Sequence, residues 1–346
     1  MPRAHILSII DAGIRAPSGD NAQPWRFEIH EDVITVYNVP ERDTSLYNYQ
    51  QQASYIAHGC LLENMRTRAA ALGYATKINV FPDNRAVAYI TCTADKISET
   101  LLNTYIESRH SNRNTYSSET LHREIVANLL STNSSDTHVD IVQEKDACTQ
   151  IAEIASVNER IVLENKELHR FLFSHITWTK KEDEKRPGFF VDTLGLAGPQ
   201  KIAFKLFSYW PLLRFATRLG VSKAIAGQNA LLYASGPAIA VFSSAANDKN
   251  AFLRVGMAVE RFWLTAESLG LAVQPIVGLP LLYQRLVAGD VGTLSTKHQH
   301  MIRDAHARLV ATSKTSLPHI LFMLRVGKAG QVSARTKRLP AEVRFV

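Results

Sequence analysis

Two stretches of the chain have similar sequences: HGCLLENMRTRAAALGYATKI at 58–78 and VGMAVERFWLTAESLGLAVQPI at 255–276. Aligned without a gap, they share the pairs Gly59/Gly256, Glu63/Glu260, Ala69/Ala266, Leu72/Leu269, Gly73/Gly270 and Ala75/Ala272. Both are predicted to be helices that end at a glycine suited to a left-handed cap. Since an apolar run typical of a β-strand follows each helix, at 86–94 and at 319–327, the pattern predicts two related units.

The similarity extends toward the N-terminus. IIDAGIRAPSGDNAQPWRFEIHE at 9–31 has a weaker counterpart in EIVANLLSTNSSDTHVDIVQE at 124–144. In each, an apolar helix leads through a polar turn to a strand of alternating hydrophobicity. Because two windows recur in the same order, we interpret the chain as an internal duplication of α+β units. The predicted units cover 1–105 and 106–346.

The second unit contains an insertion at about 165–228 that has no counterpart in the first. Its aromatic stretch IAFKLFSYWPLLRF, at 202–215, has the period of an amphipathic helix that Pro211 interrupts. Three interpretations fit this pattern. The helices pack as an extra pair on the core, they form a lid over a site, or they lie on a membrane surface.

Composition limits the class of protein. The chain has 346 residues, 46% of them hydrophobic, a net charge of +7 and three cysteines, which excludes a collagen, a disulfide scaffold and a disordered chain. Cys60, Cys92 and Cys148 lie far apart and form no CxxC pair, which argues against a zinc site. His298, His300 and His306 do not share a helix face, so we expect surface histidines and no metal site.

Location and partners follow from charge and hydropathy. No stretch is long and apolar enough for a signal core or a membrane span, so a cytoplasmic protein without a membrane partner is expected. The basic excess is concentrated at 180–186, among acidic residues, and at 335–338. Neither run is interleaved with aromatic residues, so no nucleic-acid partner is expected.

Three polar segments are candidates for chemistry: APSGDNAQPW at 16–25, RHSNRNTY at 109–116 and ARTKRLPAEV at 334–343. The chain has no GxSxG, GxxxxGK[ST] or strand-linked GxGxxG motif, so serine hydrolase, P-loop and Rossmann chemistry lack their signatures. Arginines next to a serine hydroxyl suit a phosphate group. The alternative for 109–116 is an exposed helix start with Ser111 as its cap.

These segments resemble motifs of the nitroreductase family. APSGDNAQPW is similar to its APSxxNxQPW turn, RHSNR to its RxSxR element, and KRLPAEV to its closing RxPxEEV segment. Family members place RxSxR before the turn and form homodimers with two interfacial flavin sites. Here RHSNR opens the second unit, whose own turn survives only as STNSSD at 131–136. The resemblance therefore implies that the chain belongs to the internally duplicated branch of the family. The implied fold is a nitroreductase-like α+β fold, in which the two units of one chain form an intramolecular pseudo-dimer.

The same resemblance implies one FMN site for each chain. Its residues would be Pro17, Ser18 and Asn21 from the first unit, and Arg109, Ser111, Arg113, Pro275, Ile276, Val277, Gly278 and Arg338 from the second. Arg109, Ser111 and Arg338 would hold the phosphate, and Arg113 would lie near the flavin ring. A backbone N–H at 276–278 would face flavin N5. No side chain is identified as a catalytic acid or base.

The implied activity is FMN-dependent oxidoreduction, driven by NAD(P)H, with a small-molecule acceptor such as a nitroaromatic or a quinone. Two alternatives remain. One is a protein that sequesters FMN beneath the insertion with little turnover, and the other is an FMN-dependent dehydrogenase or oxidase of a biosynthetic intermediate. In each case the flavin supplies the redox chemistry and the protein supplies position and electrostatics.

Overall fold

The computed structural model describes residues 1–95, 101–134 and 136–346. Its helices in chain order are α1 (Arg3–Gly13), α2 (Gln52–Ala71), α3 (Arg123–Leu130), α4 (Lys145–Ala155), α5 (Val157–Glu164), α6 (Lys166–His175), α7 (Lys180–Asp183), α8 (Gly198–Phe207), α9 (Trp210–Arg218), α10 (Val221–Tyr233), α11 (Lys249–Ser268), α12 (Gly278–Val287) and α13 (Thr296–Ser313). Its strands are β1 (Trp25–His30), β2 (Val33–Asn38), β3 (Tyr74–Val80), β4 (Ala86–Ala94), β5 (Thr137–Val142), β6 (Ile176–Thr177), β7 (Phe189–Phe190), β8 (Ala238–Ser244), β9 (Ala272–Pro275), β10 (His319–Gly327) and β11 (Val343–Phe345).

Within the described residues, the strands form two main sheets, with the orders β11-β1-β2-β4-β3 and β5-β8-β10-β9. β11 runs parallel to β1, and the other neighbouring strands of both sheets are antiparallel. The chain combines these helices with sheets that are almost entirely antiparallel, so the architecture is α+β. The strands predicted at 86–94 and 319–327 are confirmed with the same bounds as β4 and β10.

The two long helices of the repeat, α2 and α11, cross at equivalent glycines. A Cβ atom on Gly59 would lie 2.0 Å from the carbonyl oxygen of Leu253, and one on Gly256 would lie 2.0 Å from that of Ile56. Only residues without a side chain permit this approach of two backbones. The predicted left-handed caps are also confirmed, because Gly73 has a φ of 79° and Gly270 a φ of 71°.

One hydrophobic core joins the two sheets through this helix pair. It includes Phe27 of β1 and Phe242 of β8, together with Leu61 of α2 and Trp263 of α11, all of them almost fully buried. A second apolar cluster lies between the sheet that contains β10 and helices α4, α12 and α13. The long helices therefore have apolar contacts with residues from both halves of the sequence.

The segment that follows β10 crosses from the second sheet to the first. Residues 328–342 lead to β11, where Phe27 of β1 pairs with Val343. This crossing brings 334–343 next to the polar turn at 16–25.

The predicted insertion contains α6 to α9, most of α10 and the short parallel pair β6 and β7. Phe204 of α8 packs against Phe173 and Trp178, with ring centroids 4.8 and 6.0 Å apart. Among the helices of the described residues, none is long and apolar enough to cross a membrane.

Candidate functional site

The turn at 16–25 is held in shape by its own side chains and by the C-terminal segment. Asp20, Asn21 and Gln23 have φ values of 49°, 55° and 52°, in the left-handed region. The hydroxyl of Ser18 accepts a hydrogen bond from the backbone of Gln23 at 3.0 Å. Gln23 Oε1 in turn accepts the N–H of Leu339 at 2.9 Å, so the turn and the C-terminal segment fix each other.

The segment that contains Arg109, Ser111 and Arg113 is extended. Ser111 forms a parallel bridge with Val273 of β9, and the N–H of Asn112 donates to the carbonyl of Val273 at 2.9 Å. The alternative in which Ser111 caps a helix is therefore wrong. In an extended chain alternate residues point to the same side, and all three predicted side chains line the same cavity.

Arg109 is buried and paired with a buried carboxylate. Its Nε atom lies 2.9 Å from Glu260 Oε1, and its guanidinium stacks 4.6 Å from the ring centre of Trp263. Burial raises the pKa of Glu260 to about 7, and the positive charge of Arg109 opposes this shift. Arg109 Nη2 also donates to the carbonyl of Arg15 at 2.6 Å. Glu260 belongs to the sequence repeat, but no sequence pattern indicated that it pairs with Arg109.

Arg338 reaches back to the turn at 16–25. Its Nη1 donates to Asn21 Oδ1 at 2.7 Å, and its Nε donates to the carbonyl of Ala16 at 3.2 Å. Burial and the nearby charge of Arg109 lower the pKa of Arg338 to about 9, although Glu260 opposes this. Two guanidinium groups that repel each other, one buried and one partly buried, would be stabilised by an anion placed between them.

A cavity of about 470 Å³ collects the basic residues. Six cationic residues line it against one carboxylate, Glu107, and the cations are Arg15, Arg109, Arg113, Arg335, Lys337 and Arg338. Pro17, Ser18, Asn21 and Ser111 also line it. This excess of positive charge suits a phosphate group. Arg335 was in the polar segment singled out from the sequence but was missing from the predicted site.

A second cavity, of about 480 Å³, adjoins the first and is mainly apolar. Pro17, Ser18, Ser111, Arg113 and Phe189 line both cavities, so one site extends from a basic end to an apolar end. Pro275, Ile276, Val277 and Gly278 line the apolar end. The structure thus brings together all eleven residues predicted for the cofactor site, along the two cavities.

Arg113 lies where the two cavities meet. Its guanidinium lies 5.3 Å from the ring centre of Phe189, and its Nη1 donates to the carbonyl of Thr193 at 3.3 Å. Burial lowers the pKa of this arginine, and nearby Tyr233, Tyr116 and Asp20 oppose the shift. Burial also raises the pKa of Asp20 to about 7, and the charge of Asp43 adds to that shift. Phe189 and Thr193 belong to the insertion and were missed because no motif marks them.

The backbone at 276–278 offers fewer donors than expected. The N–H of Ile276 donates to the carbonyl of Met323 at 3.0 Å, so it is not free to meet a ligand. Val277 and Gly278 lie at the start of α12, where backbone N–H groups have no partner within the helix. A Cβ atom on Gly278 would lie 2.3 Å from the side chain of Asn158, so a larger residue here would displace that side chain.

The apolar end contains polar groups that sequence reasoning missed. Glu159 Oε1 accepts a hydrogen bond from the Tyr233 hydroxyl at 2.8 Å, and Asn158 Oδ1 accepts one from the Tyr47 hydroxyl at 2.8 Å. Burial raises the pKa of Glu159, although the bond from Tyr233 opposes the shift. Glu159 thus places a carboxyl group in a predominantly apolar cavity. Its position on α5 has no counterpart in the repeat, so no sequence signal identified it.

Two expectations about other segments can be compared with the structure. His298 and His306 are buried, and His306 stacks on Tyr283 with ring centroids 3.3 Å apart, so the prediction of surface histidines is wrong for both. The faces of α13 that carry them pack against neighbouring helices, which the spacing of the histidines did not reveal. Among the described residues there is no group of His, Cys, Asp and Glu side chains that could hold a metal ion.

The degenerate turn STNSSD lies partly outside the described residues, since Ser135 is not among them. Within the described part, the N–H of Ser134 donates to the carbonyl of Thr137 at 3.0 Å. None of its described residues lines either of the two adjoining cavities.

Comparison with known proteins gives low similarities. No protein-family profile matches the chain. An uncharacterized protein of Mycobacterium tuberculosis is 24% identical over 282 residues, which are 80% of this chain and 39% of that protein. A protein of the same organism provisionally named an NAD(P)H nitroreductase is 26% identical over 78 residues, which are 22% of this chain and 23% of that protein. The chain thus spans well under two thirds of the length of these curated relatives.

Solved structures give a similar result. An FMN-dependent nitroreductase from Clostridium difficile has 15% identity and a TM-score of 0.37, over 68% of this chain and 94% of that one. The FMN-dependent nitroreductase NfnB from Mycobacterium smegmatis, solved with NADPH, has 16% identity and a TM-score of 0.34, over 66% and 87% of the two chains. Because these values are low, we base the functional assignment on the residues of the site.

Proposed function

We propose that the chain is an FMN-dependent oxidoreductase of the nitroreductase type. One observation supports this above the others: a basic cavity and an apolar cavity adjoin, and the residues of all three motif segments line them. The basic end fits the phosphate, and the apolar end fits the flavin ring. FMN, when bound, supplies the redox chemistry between NAD(P)H and an acceptor such as a nitroaromatic or a quinone.

The residues of the chain have separate tasks in this proposal. Arg109 and Arg338 are held rigidly by Glu260 and Asn21, which fixes positive charge at the phosphate end before a ligand arrives. Arg113, at the junction, places a cation next to the ring, where it stabilises negative charge. The N–H groups of Val277 and Gly278 provide neutral donors at the apolar end.

We also infer that the two units act as the halves of a fused dimer with one FMN for each chain. Pro17 and Ser18 come from the first unit, and Arg109 and Ser111 from the second. Glu63, which occupies the repeat position of Glu260, is bound by Arg66 and Arg261 at 2.7 and 2.8 Å. The carboxylate of Glu63 is therefore already neutralised by arginine side chains of the two long helices.

Sequestration of FMN is the second candidate, and a specific observation favours it. Phe189, Leu194 and Phe204 of the insertion line the apolar cavity, so the insertion forms part of the wall around the space that the ring would occupy. A cover that excludes nicotinamide would leave a bound flavin with little turnover. Reduction of the bound flavin by NADH or NADPH separates this candidate from a reductase.

The first test is a titration of the purified protein with FMN, followed anaerobically by NADH and NADPH while the visible spectrum is recorded. One flavin for each chain, bleached by either nucleotide, is expected for a reductase. One flavin that neither nucleotide reduces would indicate sequestration. The absence of any flavin binding would overturn both candidates.

Replacing Arg335 tests the phosphate end without breaking a buried ion pair. Arg335 is exposed and lines the basic cavity. Arg335→Ala is expected to weaken FMN binding by about 1.5–3 kcal/mol, or about 10- to 150-fold in Kd, the scale of a charged hydrogen bond. Arg123→Ala removes an exposed arginine that lines neither cavity, and it serves as the control. Equal Kd values for the two variants would contradict the placement of the phosphate.

A further inference from the structure

The outer faces of α8 and α9 expose an unusual amount of apolar surface. We call this surface the hairpin face, and it consists of Ile202, Leu206, Tyr209, Leu212, Phe215 and Leu219. Their exposed fractions run from 39% for Leu212 to 72% for Leu219. Contiguous patches of large apolar side chains are uncommon on soluble proteins and mark contact surfaces.

Helix geometry places these side chains on the outside of the hairpin. Ile202 and Leu206 are four residues apart on α8, so they lie on one face. On α9 the buried residues are Leu213 and Ala216, which face the protein. Leu212, Phe215 and Leu219 lie on the adjoining side of that helix and are exposed.

The same part of the chain is entirely basic in its charge. Between Asp192 and Asp248 the sequence contains no Asp or Glu, and its cations are Lys201, Lys205, Arg214, Arg218 and Lys223. Lys201 pairs with Asp192 at 2.6 Å. The other four are exposed, and Lys205, Arg214 and Arg218 lie on the same two helices as the apolar side chains.

A groove of about 1330 Å³ lies beside α9 and continues this charge. Arg214, Arg218 and Lys223 line it together with Lys166, Arg170 and Lys297. Glu164 and Glu167 also line the groove, and Lys297 pairs with Glu164 at 2.6 Å. The groove therefore adds cations to the flank of α9 that carries Arg214 and Arg218.

We propose that the hairpin face docks on an anionic lipid surface. Apolar side chains flanked by lysine and arginine are the composition of helices that lie in the membrane interface. The apolar residues enter the boundary of the acyl chains, and the exposed cations meet the phosphates of the headgroups. The proposal revises the sequence-based expectation of no membrane partner, and it does not depend on bound flavin.

Charge argues for this occupant over a second copy of the chain. A twofold contact between two hairpin faces would bring Lys205, Arg214 and Arg218 of both copies together. Like charges at such a contact repel, whereas an anionic surface attracts them all.

The test is sedimentation of the full chain with phosphatidylcholine vesicles and with vesicles that also contain phosphatidylglycerol. The wild-type chain is expected to bind the anionic vesicles and to be released by salt. Phe215→Ser with Leu219→Ser is expected to weaken this binding by about tenfold or more, because two exposed apolar side chains are lost. Val287→Ser with Val310→Ser removes two exposed apolar residues of α12 and α13, and it is the control.

A charge variant and a solution measurement complete the test. Arg214→Glu with Arg218→Glu is expected to abolish the preference for anionic vesicles. FMN binding by each variant, measured separately, shows whether the cofactor site is intact. The proposal is overturned if the wild-type chain stays in the supernatant, binds both vesicle types equally, or loses no binding in the Phe215 and Leu219 variant. It is also overturned if that variant converts a dimer to a monomer in the absence of lipid.

Discussion

Asp20 is a titratable residue in the left-handed turn between the two cavities. Its carboxyl has a pKa of about 7 in the folded chain, against an ordinary value of 3.8, because burial disfavours its charge. A carboxyl whose pKa is raised by folding binds its proton more tightly in the folded state. Its contribution to stability is therefore present at low pH and is lost as the pH rises through about 7.

Asp20→Asn should remove this pH dependence. Asparagine tolerates the φ of 49° at this position, so the turn is expected to keep its shape. As the pH rises between 3.8 and about 7, the variant should become progressively more stable than the wild type. Urea unfolding of both chains across that window measures the difference. Parallel curves of unfolding free energy against pH would show that Asp20 is not desolvated.

At the residue scale, the sequence predicted which residues line the site better than it predicted which residues they pair with. Arg109, Ser111 and Arg113 lie on one side of an extended segment, as their alternate spacing allows. The partner of Arg109 is Glu260, about 150 residues away in the sequence, and no local pattern connects the two. Sequence spacing reports faces of helices and strands, whereas ion pairs depend on tertiary packing.

Among the elements, the crossing of α2 and α11 is the most demanding packing feature. Gly59→Ala would place a methyl group 2.0 Å from the carbonyl oxygen of Leu253, a backbone atom that cannot move without separating the helices. We expect a loss of unfolding free energy of about 3 kcal/mol or more, at the upper end of overpacking effects. Chemical denaturation of the full chain measures it.

Gly227→Ala provides the matched control for that substitution. Gly227 lies in α10, and a Cβ atom there would have no neighbour within 4 Å. Alanine should therefore raise stability by about 0.5–1 kcal/mol through helix propensity alone. Similar losses in both variants would mean that Gly59 does not mark a close crossing of helices.

Elements with strong periodicity were predictable, and those made by long-range pairing were not. β4 and β10 were predicted with their observed bounds because apolar runs and turn residues delimit them. β11 is three residues long, and its parallel pairing with β1 depends on the path of the C-terminal segment. The same limitation concealed the contribution of Phe189 to the cavities, because β7 is only two residues long.

For the whole molecule, the shared core predicts cooperative unfolding. Phe27 and Trp263 belong to one hydrophobic cluster, although they come from different halves of the sequence. A domain boundary normally has few apolar contacts across it, and here the long helices share such contacts. The two units should therefore unfold together as one thermodynamic body.

Thermal unfolding of the full chain tests this expectation. Far-ultraviolet circular dichroism and tryptophan fluorescence should give one coincident transition. Trp25 reports on the first sheet and Trp263 on the central helices, so the fluorescence samples both halves. Two separated transitions would show that the units are independent domains.

The pairing of β11 with β1 also has a consequence for synthesis on the ribosome. The strand that covers the edge of β1 is translated about 300 residues after β1, so at 5–20 residues per second the edge stays unpaired for roughly 15 s to a minute. During that interval its unpaired backbone groups can pair with other nascent chains. Arg335 and Arg338 arrive in the same late segment. The basic cavity is therefore completed only after Arg338 has been translated, and a phosphate ligand can be captured there only afterwards.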